Sequence, residues 1–252
     1  MKAEDGFESE LRTALAADLG VLATLHDDPS PKVIGALADT PASAWLGLKL
    51  RSPRAEEGYA LLRDALATWK GPSRAAATEE IAVDHADLYL LYTFRVAPTE
   101  SPWRDPEGLE RQEPMFAVAE WYRRHGLAVA DRQERPDDHL VTELQFLARL
   151  LDPASGAGAV AEAAGFMDAH LLRWAPAFCQ RAATSCATPY FAGIALLTWA
   201  YLDELRDVLA VATGLARPDP AVLEQEEADA RARAECARNE SQRYVPGVAP
   251  SW

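Results

Sequence analysis

The residues best suited to chemistry stand together in Pro136-Asp137-Asp138-His139, with Glu143 four residues further on. The pattern predicts a helix that starts at Pro136, whose missing N–H costs nothing in the first turn. Asp137 and Asp138 would then meet unpaired amides and the positive end of the helix dipole. Leu140, Leu144, Leu147 and Leu151 would face the core, with Asp138, His139 and Glu143 beside them at the rim. Carboxylates and an imidazole at a helix start can grip the positive residues of a peptide. A well-capped helix with a His–Glu pair would account for the same residues through stability alone.

Other candidate chemistry falls away. His26, His85, His125, His139 and His170 include no Glu-x-x-His pairs of the kind that build a two-metal site in a helical bundle. His26-Asp27 resembles a metal-binding pair, but it sits in a helix-ending Asp-Asp-Pro. The run Gly156-Ala157-Gly158 lacks a preceding strand and has Ala161 where a dinucleotide fingerprint needs its third glycine, and no Walker lysine follows any glycine run. The sequence therefore predicts no catalytic residue, no metal and no cofactor. Arg123-Arg124 lies mid-chain and reads as a solvated helix face. Cys179, Cys186 and Cys236 are too few and too scattered for a disulfide framework and read as reduced thiols.

The elements that would carry these residues are helices. Apolar residues recur at helical spacing almost throughout, and no alternating β-branched run is bounded by tight turns. The expectation is an all-α fold, a single compact domain of about ten helices over residues 1–215. A charged terminal helix or tail, partly disordered, would follow over 216–252, held by pairs such as Glu227 with Arg231. Helices are expected near 7–26, 33–38, 42–50, 53–69, 74–96, 114–125, 136–151, 160–183 and 189–213. Residues 97–113, rich in Pro and charge, form the longest irregular segment, and loops of that length are usually functional or disordered. The uncharged stretch 190–202 would span roughly 20 Å as helix, too short for a ~30 Å hydrocarbon core, and reads as a buried central helix.

Among the 252 residues, 39 acidic side chains outnumber 25 basic ones, for a formal charge of −14. That balance opposes coating of nucleic acid and docking on anionic lipid, and no stable membrane insertion is expected. It suits a basic peptide partner, which excess carboxylate would steer. The first ten residues are acidic from the fourth and contain no apolar stretch, so no export signal is expected and the location is read as cytoplasmic.

A series of motifs runs in order over residues 80–205. Leu88-Tyr89-Leu90-Leu91-Tyr92 is followed by Pro102-Trp103, Asp105-Pro106-Glu107-Gly108-Leu109 and Gln112-Glu113-Pro114. Trp121-Tyr122-Arg123-Arg124-His125-Gly126-Leu127 leads to Pro136-Asp137-Asp138-His139 with Glu143-Leu144-x-Phe146-Leu147. Phe166, His170-Leu171, Trp174 and Tyr190-Phe191 close the set. Together these resemble the TorD/DmsD/NarJ family of redox-enzyme maturation chaperones. The chain departs from the family at Arg104-Asp105, where Gly or Glu and then Ser-Val-Tyr is usual, and at Leu88, where the motif has an aromatic.

The resemblance implies an all-helical cytoplasmic chaperone whose partner is the catalytic subunit of a molybdopterin enzyme. It would bind that client's twin-arginine leader until the molybdenum cofactor is inserted and export is allowed. On this reading Asp138 and His139, with Glu143 behind them, are the polar part of the leader site. Trp103 is an apolar lip, and His170 and Trp174 share the cleft. Two other readings remain: the same fold serving a non-exported client without a leader, and a helical nucleotide-binding hydrolase, against which the missing phosphate loop argues.

Overall fold

The computed structural model describes residues 2–91, 96–156 and 158–219, with a few positions beyond as far as 232. Tyr92, Cys236 and the Glu227–Arg231 pair lie outside the described residues. Contacts divide the chain into Met1–Leu215 and Ala216–Trp252, and the account below concerns the first unit. It is all-α, with ten α-helices and one isolated bridge, Thr99 with His139, among the described residues.

Helix α1 runs over Lys2–Asp27. The turn after it is made by Asp28, which accepts the Ser30 amide (2.7 Å), and Ser30 in turn caps α2, Pro31–Asp39. The helix expected near 42–50 is only a single 3-10 turn, Ala42–Ala44. The cause lies 29 residues away: the Asp18 carboxylate takes the amides of Gly47 (2.6 Å) and Leu48 (2.9 Å), which holds them out of a helical ladder. Helix α3, Pro53–Lys70, starts on the Ser52 cap with proline in its first turn. Helix α4, Arg74–His85, continues into a π-turn, Ala86–Leu90, closed by the Leu91 amide on the Ala86 carbonyl (2.8 Å).

The segment expected as loop contains one helical turn, α5, Ser101–Arg104; α6 follows over Glu113–Arg124 and α7 over Leu140–Leu151. Helix α8, Gly158–Phe166, passes through a second π-turn, Met167–Leu171, into α9, Leu172–Ser185. Helix α10, Pro189–Thr213, ends at Gly214 in the left-handed region (φ 72°). It is the buried central helix, packed on α3, α9, α8, α1 and α4. Among the described residues no helix is long and apolar enough to cross a membrane.

Two contacts fix the frame around α7. Arg12 of α1 is buried and donates to the carbonyls of Leu151 (3.2 Å), Asp152 (2.8 Å) and Gly156 (3.0 Å), so a guanidinium closes the end of α7 where helical carbonyls lack partners. Across the core, α3 and α10 touch backbone to backbone at Gly58 and Gly193. A Cβ on Gly193 would lie 2.8 Å from the Leu62 nitrogen and 2.9 Å from the Gly58 oxygen, neither of which can rotate away. Gly193→Ala should therefore destabilise by about 2–3 kcal/mol in urea unfolding, as overpacked cores do. An unchanged midpoint would mean that the two helices separate at no cost.

Candidate functional site

The site is built where residues 97–104 meet the turn before α7. Helix α7 starts at Leu140, with His139 as its cap, and not at Pro136. The reason is a tertiary ladder: the Leu140 amide donates to the Pro98 carbonyl (2.8 Å), the Glu100 amide donates to the Asp138 carbonyl (2.9 Å), and Thr99 bridges His139. Those bonds claim the backbone that a helical first turn would have used. Asp137 and Asp138 thus precede the helix instead of lining its first turn, and Asp137 accepts the Tyr122 hydroxyl through its carbonyl (2.9 Å).

Burial corrects a second expectation. Asp138, Glu143 and Trp174 are fully buried, His170 is 4 % exposed and His139 9 %, so none of them forms an open rim. Asp138 Oδ2 accepts both the amide (2.8 Å) and the hydroxyl (2.5 Å) of Ser101. The same hydroxyl accepts the Gln112 amide (3.1 Å), so one carboxylate holds both ends of the 101–112 loop. Beside it Glu100, also fully buried, meets His170 Nδ1 at 2.8 Å and accepts from Arg104, which also donates to the Ala169 carbonyl (3.0 Å). Glu143 Oε2 accepts the Trp174 indole N–H at 3.4 Å. The π-turn at Met167–Leu171 presents His170 and the Ala169 carbonyl to the loop, the kind of place where such turns recur.

Three carboxylates therefore crowd one interior space. Asp138 Oδ1 and Glu143 Oε1 are buried and have no hydrogen-bond partner. Burial, then the charges of Glu100 and Asp138, push the Glu143 carboxyl well above the usual range. Burial also raises Asp138, against the pull of its two Ser101 bonds.

His139 faces a different neighbourhood, and the expected His139–Glu143 side-chain pair is not formed. Its Nδ1 accepts the Val141 amide (3.2 Å), which requires the neutral ring. Burial, with Arg135, His26 and His85 nearby, lowers its pKa to about 3. His26 is lowered to about 3 by burial and then by His85, while its ring nitrogens meet the Tyr89 (2.5 Å) and Thr198 (2.8 Å) hydroxyls. Trp103 is half-buried: its indole donates to the Ala97 carbonyl (2.8 Å), its edge packs on Phe178, and the Arg181 guanidinium lies 5.3 Å above the ring. The structure thus gathers Asp138, Glu143, His170 and Trp174 in one buried cluster, sets Trp103 on the loop that covers it, and turns the His139 ring away.

Glu100, Ser101 and Arg104 are central here and were not singled out from the sequence. The one signal that could have found the pair is the i, i+4 spacing of Glu100 and Arg104. Burial keeps both described thiols from ready ionisation, with Cys186 pushed up to about 12. Among the described residues no group of three or more His, Cys, Asp or Glu side chains is placed to hold a metal ion.

Comparison with known proteins places these elements in a family. The family model described as nitrate reductase delta subunit matches residues 51–180, from the start of α3 into α9 and across the whole cluster. The chain belongs to the nitrate reductase delta subunit family. Its curated relatives in this TorD/NarJ group include "Chaperone protein TorD" of Vibrio cholerae serotype O1, 31% identical over 140 residues, covering 52% of this chain and 63% of the relative. "Chaperone protein TorD" of Vibrio vulnificus is 33% identical over 118 residues, covering 44% and 55%. The match thus spans less than two thirds of either relative. In this member of the delta subunit family the position after Pro102-Trp103 is Arg104, and the geometry gives that departure a role: its guanidinium is the cation that reaches the Glu100 carboxylate from the loop.

Proposed function

We propose that the chain is a cytoplasmic maturation chaperone for the catalytic subunit of a molybdopterin-containing redox enzyme. It binds the client's twin-arginine leader and holds the client until the molybdenum cofactor is inserted and export can follow. The relatives named as TorD chaperones support the chaperone role. The observation that carries leader recognition is the excess of buried carboxylate: Glu100, Asp138 and Glu143 face a single guanidinium and one imidazole, with two oxygens unpartnered. A second guanidinium is the natural complement, since it is planar, permanently charged and rich in donors.

Arg104 stands in this state where a leader arginine would bind. The leader competes with it, and the 101–112 loop moves aside as it enters. Asp138 and Glu143 receive the arginine, His170 stays paired to Glu100, and Trp174 and Trp103 supply flat apolar walls; Trp103 already carries a guanidinium on its face. His139 positions the turn from behind. The role is binding and release, with no bond made or broken by the chain.

Titration of the purified chain with the client's leader peptide should give saturable binding. Glu143→Gln keeps an acceptor for Trp174 and should weaken binding at least tenfold, about 1.4 kcal/mol. Arg104→Gln should tighten it, and a leader with Lys-Lys for Arg-Arg should bind more weakly. Unchanged affinity in both folded variants would sink the site.

A second reading is favoured by the name of the matching model, the delta subunit of nitrate reductase. In that case the client has no leader, and its amino-terminal segment binds equally well with its arginines replaced by glutamine.

A further inference from the structure

On the other side of α7 lies a groove of about 920 Å³ that the cluster above does not use. Apolar side chains of Leu90, Tyr122, Leu127, Val129 and Phe146 line it, and Leu90 is 66 % exposed. Its volume is at the top of the ~300–1,000 Å³ range of small-ligand pockets, room enough for a short peptide.

One wall of this groove is main chain. Residues 127–129 run without turn or bend between α6 and the Asp131 turn. The amides of Ala128, Val129 and Ala130, and the carbonyls from Leu127 to Ala130, have no partner among the described residues. The α7 wall adds two more idle groups. The Thr142 hydroxyl is buried without a hydrogen bond, and the Gln145 side chain is exposed and makes none among the described residues. Unused backbone edges beside apolar pockets are what an added strand requires: main-chain bonds supply affinity and alternate side chains enter the pockets.

The charges state which flank the ligand carries. Both arginines of the lining are engaged within the protein, Arg135 with Asp27 and Arg149 with Ser155 (2.8 Å) and Asp152 (3.9 Å). The acidic residues of the lining, Asp131 and Glu134, have no ion-pair partner among the described residues. A basic residue therefore complements the groove, and an acidic one does not.

We propose that this groove binds an extended, apolar peptide segment with a basic residue at one end, by strand pairing with residues 127–130. The site is separate from the buried carboxylate cluster and does not rest on leader recognition. It gives the chain a second hold on an unfolded polypeptide, through main chain and apolar side chains instead of through guanidinium.

The test uses the full chain and the synthetic peptide Arg-Ala-Leu-Val-Leu-Ala. Hydrogen exchange should show protection of the 128–130 amides on saturation. Peptides N-methylated at alternate positions should split into two sets, one bound normally and one at least tenfold weaker, because in a paired strand only every other amide faces its neighbour. Glu134→Lys should weaken binding about threefold at low salt, as for a rim ion pair, and less at high salt. Saturable binding without protection at 128–130, equal affinity for all N-methylated peptides, or displacement of the peptide only by a small apolar dye would each overturn strand pairing. Loss of leader binding in Glu143→Gln alongside any of these would leave the inner site standing, so the two ideas fail separately.

Discussion

Asp138→Ala should cost about 3–5 kcal/mol of stability and release the 101–112 loop, the scale expected when one member of a buried charged hydrogen-bond set is removed. The carboxylate is fully buried and accepts the Ser101 amide and hydroxyl, and that hydroxyl holds Gln112 in turn. Truncation strands a buried amide and a buried hydroxyl, each costing about 1–3 kcal/mol when unsatisfied. Asp138→Asn can still offer an oxygen to Ser101 and should lose far less. Urea unfolding measures the stability, and limited proteolysis within 105–111 reports the loop. Equal midpoints for the alanine and asparagine variants would show that the Ser101 bonds do not hold the loop, and rapid cleavage only in the alanine variant would show that they do.

A steep acid dependence is the second large effect expected. His26 and His139 have folded pKa values of about 3, against an ordinary value of 6.5. Between those pH values the unfolded chain binds protons that the folded chain refuses. Stability is therefore full above about pH 6.5 and is lost as pH falls, by up to about 1.4 kcal/mol per pH unit for each histidine. Glu143 runs the other way: its folded pKa is raised, so the folded chain keeps a proton that the unfolded chain sheds above pH 4.5, and stability is lost as pH rises. Asp138, also raised, adds to that opposition from pH 3.8 upward.

Glu143→Gln removes one opposing proton. From pH 6.5 to 4.5 its stability should fall more steeply than that of the unmodified chain, by roughly 1.4 kcal/mol per unit. At pH 7–8 it should be the more stable of the two, with the difference vanishing near pH 4. His26→Asn should flatten the same window. Parallel urea midpoints against pH for all three chains would contradict both assignments.

The sequence was most readable where an element carries its own punctuation. Helix α3 begins at Ser52-Pro53 and stops at Gly71, and α10 begins at Pro189 and stops at Gly214; the expected bounds fall within a residue of those observed. It misled where a distant group took the backbone. Asp18 holds residues 47–48 out of helix, and residues 98–100 take the amides and carbonyls that would have opened α7 at Pro136. Local periodicity cannot register a partner 29 or 40 residues away.

The same limit applies to the site. Asp138, Glu143, His170 and Trp174 were legible as a group, yet their burial was not, because carboxylates and histidines are usually solvent-facing and only the covering loop reverses that. Glu100 and Arg104 looked like ordinary loop charges until the fold set them against His170.

The two π-turns carry a consequence for how this chain can change length. Each turn holds one residue more than an α-helical turn, and each residue in a helix corresponds to about 100° of rotation. A one-residue deletion within Met167–Leu171 would restore regular winding and swing everything after it by that angle, carrying Trp174 and Phe178 out of the core. Insertions and deletions should therefore be purged from 167–171 while residues 106–111, pinned at both ends through Ser101, tolerate them. In a library of random single-codon deletions, survivors should cluster in the loop and avoid the turn.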